Sequence, residues 1–292
     1  MRAYLYFTLT AFFWGLNFHF AKMMLQETHF IEAGFWRYLF GVIPLFLLAY
    51  RKMASLQELL KSIQGVMLVG VVCLFGFNFF FFLGLMYSPA INGSLIVSLT
   101  PALTLLYSNR ILKTSLRPQE ILGVSISFLG VLYLILQGNI GDFASIEFSW
   151  GDILLFGAAN FFALQNVWSK KYGAQLSNID FTFFTNLFCL LSFLLLVPFF
   201  GELTITSYSS SFWLAAMGIG GLGTSMAYFL WNKGIQMTDA NQAGIFINLV
   251  PLSTAIFSMI LGEELFGYHL ISGVLIVIGV VFIMRKSFQS TS

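Results

Sequence analysis

Charged side chains are scarce in this sequence. Asp, Glu, Lys and Arg make up only 9% of its 292 residues, whereas 58% are hydrophobic. A soluble domain of ordinary composition carries roughly 25% charged residues. A water-soluble fold of this length could not bury so much apolar surface in one core. The composition therefore predicts a membrane protein and excludes an ordinary soluble enzyme.

Cysteine and histidine are also rare, and their positions match no disulfide or metal pattern. Cys73 and Cys189 both fall inside apolar segments, where a small core residue is expected. The three histidines are scattered, with no metal-ligand spacing between them. No phosphate-binding Gly-x-x-x-x-Gly-Lys-Ser/Thr loop is present, which disfavours ATP-driven pumping by this chain. We expect no metal, no cofactor and no nucleic-acid partner.

The apolar residues come in blocks of about twenty, the length of a helix that crosses roughly 30 Å of hydrocarbon. The predicted fold class is an all-α integral membrane protein with ten transmembrane helices. The predicted spans are 4–25, 30–50, 63–86, 90–108, 119–137, 151–169, 181–200, 212–232, 241–261 and 267–284. The first block is too long for a signal peptide and has no cleavage site, so we interpret it as a retained helix.

The basic residues indicate the orientation of these spans. Most of the 14 Lys and Arg residues fall on the predicted side of the N-terminus: Arg2, Arg51, Lys52, Lys61, Arg110, Lys113, Arg117, Lys170, Lys171, Lys233, Arg285 and Lys286. Because cytoplasmic loops carry an excess of positive charge, both termini are predicted in the cytoplasm of a multi-pass protein of the inner (cytoplasmic) membrane.

The two halves of the sequence resemble each other at a shift of about 150 residues. The first half covers residues 1–140 and the second 141–292. The matching positions are Gly84, Ala90, Leu99, Pro101 and Gly123 with Gly234, Ala240, Leu249, Pro251 and Gly273. Because five is an odd number of spans, the second half is predicted to enter the membrane inverted. Inverted repeats are typical of secondary transporters, whose substrate sites lie at the repeat interface.

Several motifs are similar to those of a known family. They are the run Trp14–Phe18, then Ala21, Lys22 and Arg37, and in the second half Tyr228–Gly234, Pro251, Leu261–Leu265 and Gly273. Together they resemble EamA-like proteins of the drug/metabolite transporter superfamily over nearly the whole chain. The resemblance implies a ten-helix exporter that works by alternating access, with a central cavity built mainly from spans 1, 3, 4, 6, 8 and 9. The fourth span departs from the family pattern, because Lys113 stands where a glutamate often ends it.

Polar residues inside the spans are the candidate substrate-cavity residues. They are Trp14, Asn17, Asn78, Ser94, Ser98, Asn160, Gln165, Tyr228, Asn232 and Asn248. Each is expected either to line a cavity or to form a packing hydrogen bond, because a polar group needs a partner in a dry interior. The three-and-four spacing places Trp14 with Asn17, and Ser225 with Tyr228 and Asn232, on shared helix faces.

Arg37 and Lys22 are the candidate gating or ionic residues, because a charge in hydrocarbon costs at least about 2.5–3.5 kcal/mol. Arg37 either attracts a substrate carboxylate or braces the outer gate, or it has a structural role, extending to the membrane interface or, in the favoured interpretation, pairing with Glu32. Lys22 is expected to extend its amine towards the membrane surface.

These patterns predict a secondary transporter that exports small organic metabolites, with amino acids or related amphipathic solutes as the first choice, rather than an enzyme. The alternatives are a membrane-embedded lipid-modifying enzyme and a lipid flippase. The expected partners are a small-molecule substrate and the lipid bilayer. A monomer is the simplest expectation.

Overall fold

A computed structural model describes residues 2–51, 53–113, 117–139, 149–201, 207–237, 246–247 and 249–284. Helices account for most of these residues, and no strand occurs within these ranges. In chain order they are α1 (Arg2–Leu25), α2 (Phe30–Ala49), α3 (Leu56–Tyr87), α4 (Ala90–Val97, continued by Thr100–Leu112), α5 (Pro118–Ile135), α6 (Trp150–Tyr172), α7 (Asn178–Phe200), α8 (Ser210–Gly218, Ile219–Met226 and Ala227–Met237), α9 (Leu249–Ile260) and α10 (Gly267–Met284).

The all-α class predicted from the sequence is confirmed for the described residues. Six helices, namely α2, α3, α4, α5, α7 and α8, are long and apolar enough to cross a membrane, while α9 and α10 are shorter apolar helices. The count of ten spans stays a prediction. Of the predicted span 241–261, residues 241–245 and 248 lie outside the described residues.

The fourth helix is interrupted where the sequence predicted one continuous span. α4 stops at Val97, turns through Ser98 and Leu99, and resumes at Thr100. Pro101 explains the interruption, because a proline lacks the N–H of the helix ladder and its ring clashes with the carbonyl four residues earlier. The Thr100 hydroxyl donates to the freed Val97 carbonyl at 2.5 Å.

Two helices contain a π-helical segment at matching positions of the two halves. Leu68–Leu74 forms this segment in α3 and Ile219–Met226 forms it in α8. Such wide turns are rare and are frequently found at functional sites. A π-helical turn contains more residues than an α-helical turn. The side chains after the segment are therefore rotated about the helix axis, and α3 and α8 present different faces to their neighbours before and after it.

Helix contacts recur between the corresponding helices at the shift of about 150 residues. α8 packs on α1 and α2, while α3 packs on α6 and α7; α9 packs on α1, while α4 packs on α6. The helices α2 and α7 pack on each other, as do α5 and α10. Each of these contacts therefore either has a counterpart between the corresponding helices or itself joins two corresponding helices.

Contacts near the helix ends show where the connections lie. Glu27, after α1, accepts hydrogen bonds from Ser209, before α8. Ser88, between α3 and α4, donates to Asp152 in the first turn of α6 at 2.5 Å. Phe18, in the second half of α1, lies against Gly93 near the start of α4. The end of α1 and the beginning of α6 therefore lie at the same end of the bundle.

Candidate functional site

A cavity lies where helices from both halves meet. Its empty space amounts to about 390 Å³, a figure that includes the openings to its surroundings. The lining comes from α1, α2, α3, α4, α6, α8 and α9 and from Ile247, which precedes α9: Trp14, Asn17, Phe18, Arg37, Phe77, Phe81, Val97, Phe162, Tyr228, Ile247 and Val250. Four sequence-predicted site residues are among them: Trp14, Asn17, Tyr228 and Arg37.

Aromatic rings form most of the cavity wall. Trp14 contacts Phe162 and Tyr228 with ring centroids 5.3 and 5.5 Å apart. Phe77 continues the wall, at 5.2 Å from Phe162 and 5.5 Å from Phe81. Ring pairs at these separations attract each other, so the five rings form a continuous aromatic wall. Such a surface suits the apolar body of an organic solute.

Arg37 is the charged group of the cavity. Only 1% of it is exposed, and its Nε donates to the Thr224 hydroxyl on α8 at 3.0 Å. Its Nη1 has no hydrogen-bond partner among the described residues. The guanidinium carbon lies 5.6 Å from the centre of the Phe81 ring and 5.8 Å from that of Tyr38, within reach of cation–π attraction.

The favoured pairing of Arg37 with Glu32 is wrong. Glu32 is buried one turn earlier on α2, where it accepts hydrogen bonds from the hydroxyls of Thr28 and, at 2.6 Å, of Tyr208. Tyr208 lies in the connection before α8, and burial together with this contact to the carboxylate raises the pKa of its hydroxyl. Glu32 thus ties the α1–α2 connection to the α7–α8 connection, and Arg37 has no carboxylate within 4.0 Å among the described residues.

Asn17 is the other polar group of the cavity whose hydrogen-bonding capacity is not used. Only 3% of it is exposed, and its Oδ1 has no partner among the described residues. The side chain lies directly against Gly223 in the π-helical segment of α8, where a Cβ at residue 223 would come within 1.8 Å of the Asn17 oxygen. Trp14, one turn earlier, donates from its indole nitrogen to the Gly223 carbonyl at 3.1 Å.

Three other predicted cavity residues are buried elsewhere. Asn78 donates to the Tyr38 hydroxyl at 2.6 Å and to the Leu74 carbonyl at 2.7 Å. Ser94 and Ser98 donate to carbonyls of their own helix, at 2.8 and 2.6 Å. Their hydroxyls are satisfied locally, so they form the packing bonds that were the alternative expectation.

Asn160, Asn232 and Gln165 are described, and they also lie outside the cavity lining. Asn160 accepts from the Tyr107 hydroxyl at 2.6 Å and so joins α6 to α4, and Asn232 donates to Thr182 on α7 at 2.9 Å. Gln165 is buried on α6, and its Oε1 has no partner among the described residues. Asn248 lies outside the described residues.

The predicted shared face of α8 is not observed. Ser225 donates to the Gly41 carbonyl on α2, whereas Tyr228 lines the cavity and Asn232 contacts α7. The π-helical segment contains Ser225 and ends before Tyr228, so the three-and-four spacing does not hold between these two residues.

Lys22 does not line the cavity. It is half-buried on α1, near enough to Glu263 for an electrostatic interaction. Glu263 also lies 3.6 Å from Nδ1 of the buried His19 and accepts from Ser258 at 2.6 Å. These contacts join α1 to the α9–α10 connection. Within the described ranges, no group of three His, Cys, Asp or Glu side chains is placed to hold a metal ion.

Sequence reasoning missed Gly223, Thr224 and the phenylalanines of the cavity wall. Phenylalanine is so abundant, at 35 residues, that no pattern separates the wall from the lipid-facing surface. A signal was present for Gly223 and Thr224, because the polar and glycine-rich run 218–225 falls within an apolar span. A stretch without bulky side chains inside a span indicates close approach of another backbone or side chain.

Comparison with known proteins identifies the family. The family model of EamA-like transporters matches residues 1–136 and again residues 149–285. An uncharacterized transporter of Bacillus subtilis, YyaM, is 28% identical over 92% of this chain and 89% of its own. An uncharacterized transporter of Archaeoglobus fulgidus is 26% identical over 99% of both chains. The aromatic amino acid exporter YddG of Ancylobacter novellus is 25% identical over 70% of each chain.

A solved crystal structure shares the fold, with a TM-score of 0.70 and 18% identity over 99% of both chains. The family and the names of the relatives indicate a transporter of small molecules in a membrane rather than an enzyme. The helical architecture, the cavity between the helices and the two family-model matches agree with this assignment. This chain belongs to the EamA-like transporter family and is a multi-pass membrane protein.

Proposed function

We propose that this protein is a secondary transporter that exports small organic metabolites, such as amino acids or related amphipathic solutes, by alternating access. The observation that carries the proposal is the aromatic cavity at the meeting point of both halves, with Arg37 and Asn17 as its unsatisfied polar groups. An apolar cavity with few polar groups is the usual form of a small-molecule site.

The proposed topology has ten transmembrane helices in two inverted five-helix repeats, residues 1–140 and 141–292, with both termini in the cytoplasm. It is supported by the two consecutive family-model matches and by packing contacts that recur at the shift between the halves. An inverted repeat around a central site can open alternately to each side when one half rocks against the other.

Counterflow in proteoliposomes tests the function. Purified protein is reconstituted in vesicles preloaded with an unlabelled mixture of amino acids and organic acids, and entry of each labelled compound is measured. We expect accumulation of at least one amphipathic compound that empty vesicles do not show. No accumulation of any compound, together with turnover or flipping of labelled lipid, would instead support the enzyme or the flippase.

A matched pair of variants links transport to the cavity. Val97→Phe places a larger side chain in the cavity lining, whereas Leu195→Phe places it on an exposed position of α7. We expect Val97→Phe to lower the counterflow rate at least about tenfold, because a displaced substrate loses its contacts with the wall. Leu195→Phe is expected to transport like the wild type. Equal rates for both variants would place the pathway elsewhere.

A further inference from the structure

The charges of the cavity lining are unbalanced. Arg37 is the one charged side chain among the described lining residues, and it is almost completely buried. An arginine guanidinium stays protonated in proteins. Its Nε bonds to Thr224, and Nη1 has no acceptor among the residues that the structure describes. A buried cation with an unused donor is unfavourable unless an anion reaches it.

The neighbouring amide of Asn17 adds a second requirement that a ligand must meet. Asn17 lines the same cavity, and its Oδ1 has no protein partner in the described part of the chain. An unused amide oxygen accepts a hydrogen bond from a hydroxyl or an N–H group of a ligand. The other described lining residues are apolar or aromatic.

From these groups we infer that the substrate is a net-anionic amphipathic carboxylate with an aromatic or branched apolar body and a hydroxyl or N–H group beside the carboxylate. The inference rests on the proposed function and narrows its substrate class. The carboxylate binds the Nη1 of Arg37, the hydroxyl donates to Asn17, and the apolar body packs on Trp14 and Phe77.

The net charge separates this class from its zwitterionic analogues. An amino acid also brings a carboxylate, but its ammonium group leaves the occupied cavity with the full charge of Arg37. A hydroxy acid of the same shape neutralises that charge. Because electrostatic interactions are strong in a low-dielectric site, the difference decides which of the two binds more tightly.

Three compounds of similar shape test this order. They are L-phenyllactate, which is an anion, L-phenylalanine, which is a zwitterion, and phenethylamine, which is a cation. Their dissociation constants are measured by isothermal titration with the purified full-length protein. We expect phenyllactate to bind about tenfold or more tightly than phenylalanine, and phenethylamine not to bind.

Substitutions then test whether Arg37 provides the positive charge that binds the carboxylate. Arg37→Gln should weaken phenyllactate binding about 10- to 100-fold, the loss expected for a hydrogen bond between charged groups. Lys61→Gln, which removes an exposed cation outside the cavity lining, should leave it unchanged. Asn17→Asp keeps the shape beside Gly223 and supplies a negative charge, so it should reverse the order and favour phenylalanine.

Several results would overturn the inference. They are tighter binding of phenylalanine or phenethylamine by the wild type, no binding of any of the three compounds, an Arg37→Gln variant with unchanged affinity, and an Asn17→Asp variant with unchanged order. If Arg37→Gln does not fold, the wild-type series and Asn17→Asp decide the question alone. The counterflow assay with the broader mixture tests the proposed function separately, because a transporter of zwitterions would pass that assay and fail this one.

Discussion

The helices α2 and α8 cross each other as α7 and α3 do, but the two crossings carry different side chains. At the first crossing a Cβ at Gly220 would lie 2.8 Å from the Arg37 carbonyl, and at the second a Cβ at Gly70 would lie 2.7 Å from the Thr185 carbonyl. The backbones thus meet in the same way, through a glycine of a π-helical segment.

The side chains at these two crossings differ. Arg37 reaches the cavity and bonds to Thr224, whereas the hydroxyl of Thr185 donates to carbonyls of its own helix, at 2.7 and 3.1 Å. Leu74 stands in α3 where Thr224 stands in α8, and Cys73 stands where Gly223 does. The two crossings therefore share their backbone contacts, whereas the cavity cation of the described residues, Arg37, lies in the first half.

Replacing Gly223 by cysteine, the residue at the matching position of the other half, should have the largest effect on the yield of folded protein. Gly223→Cys copies the other half, but its Cβ would come within 1.8 Å of the Asn17 oxygen, so α1 and α8 would have to separate. We expect little folded protein by size-exclusion chromatography in detergent.

The reciprocal change Cys73→Gly is the control for Gly223→Cys. It removes a small buried side chain, and we expect folded protein with a destabilisation of about 1–2 kcal/mol. Two variants with equal yields would show that the halves do not differ at this position.

Alanine at the two crossing glycines should have a smaller and equal effect. Gly70→Ala and Gly220→Ala each place a Cβ against a partner backbone, at 2.7 and 2.8 Å. Overpacking of this kind costs about 1–3 kcal/mol, so the melting temperatures should fall by similar amounts. A control substitution, Gly221→Ala, has open space around its Cβ and should change the melting temperature least. A large fall in only one crossing would contradict the shared backbone contact.

Removing the hydroxyl partner of Arg37 should lower the thermal stability by an amount similar to that of the glycine substitutions. Thr224→Val leaves the Nε of a buried guanidinium without its acceptor, which costs about 1–3 kcal/mol. Arg37→Met combined with Thr224→Val removes both partners and should recover part of that loss of thermal stability. If the losses of the two single variants simply add in the double variant, Arg37 and Thr224 are not coupled.

The sequence allowed the helices to be predicted, because the need to satisfy every backbone group in lipid leaves few alternatives to a helix. Predicted and observed bounds agree closely for α2, where 30–50 was expected and Phe30–Ala49 is found. The break in α4 was not predicted, although Pro101 lies inside the span. A proline inside a membrane helix is often tolerated, so its presence alone does not indicate a break.

The cavity was harder to predict than the helices. Whether a polar residue faces a cavity depends on the rotation of its helix, which apolar composition does not determine when the other faces meet lipid or protein. Ser94 illustrates this, because its hydroxyl is satisfied by the Ile91 carbonyl and needs no cavity. The buried charge of Arg37 was a better guide, because a group so costly to bury is rarely retained without a role.

The pairing of α5 with α10 has a consequence for how the chain can be handled. Gly279 lies against the Gly123 carbonyl and Ser127, and Gly130 lies against Leu275 and Ile276, so the two final helices of the halves interlock through their small residues. A gene divided between the two family-model matches would yield two fragments, one with α5 and the other with α10. Each fragment would expose the surface through which α5 and α10 contact each other. When co-expressed in one membrane, the two fragments should associate through this contact. The split protein would then allow each half to be labelled separately.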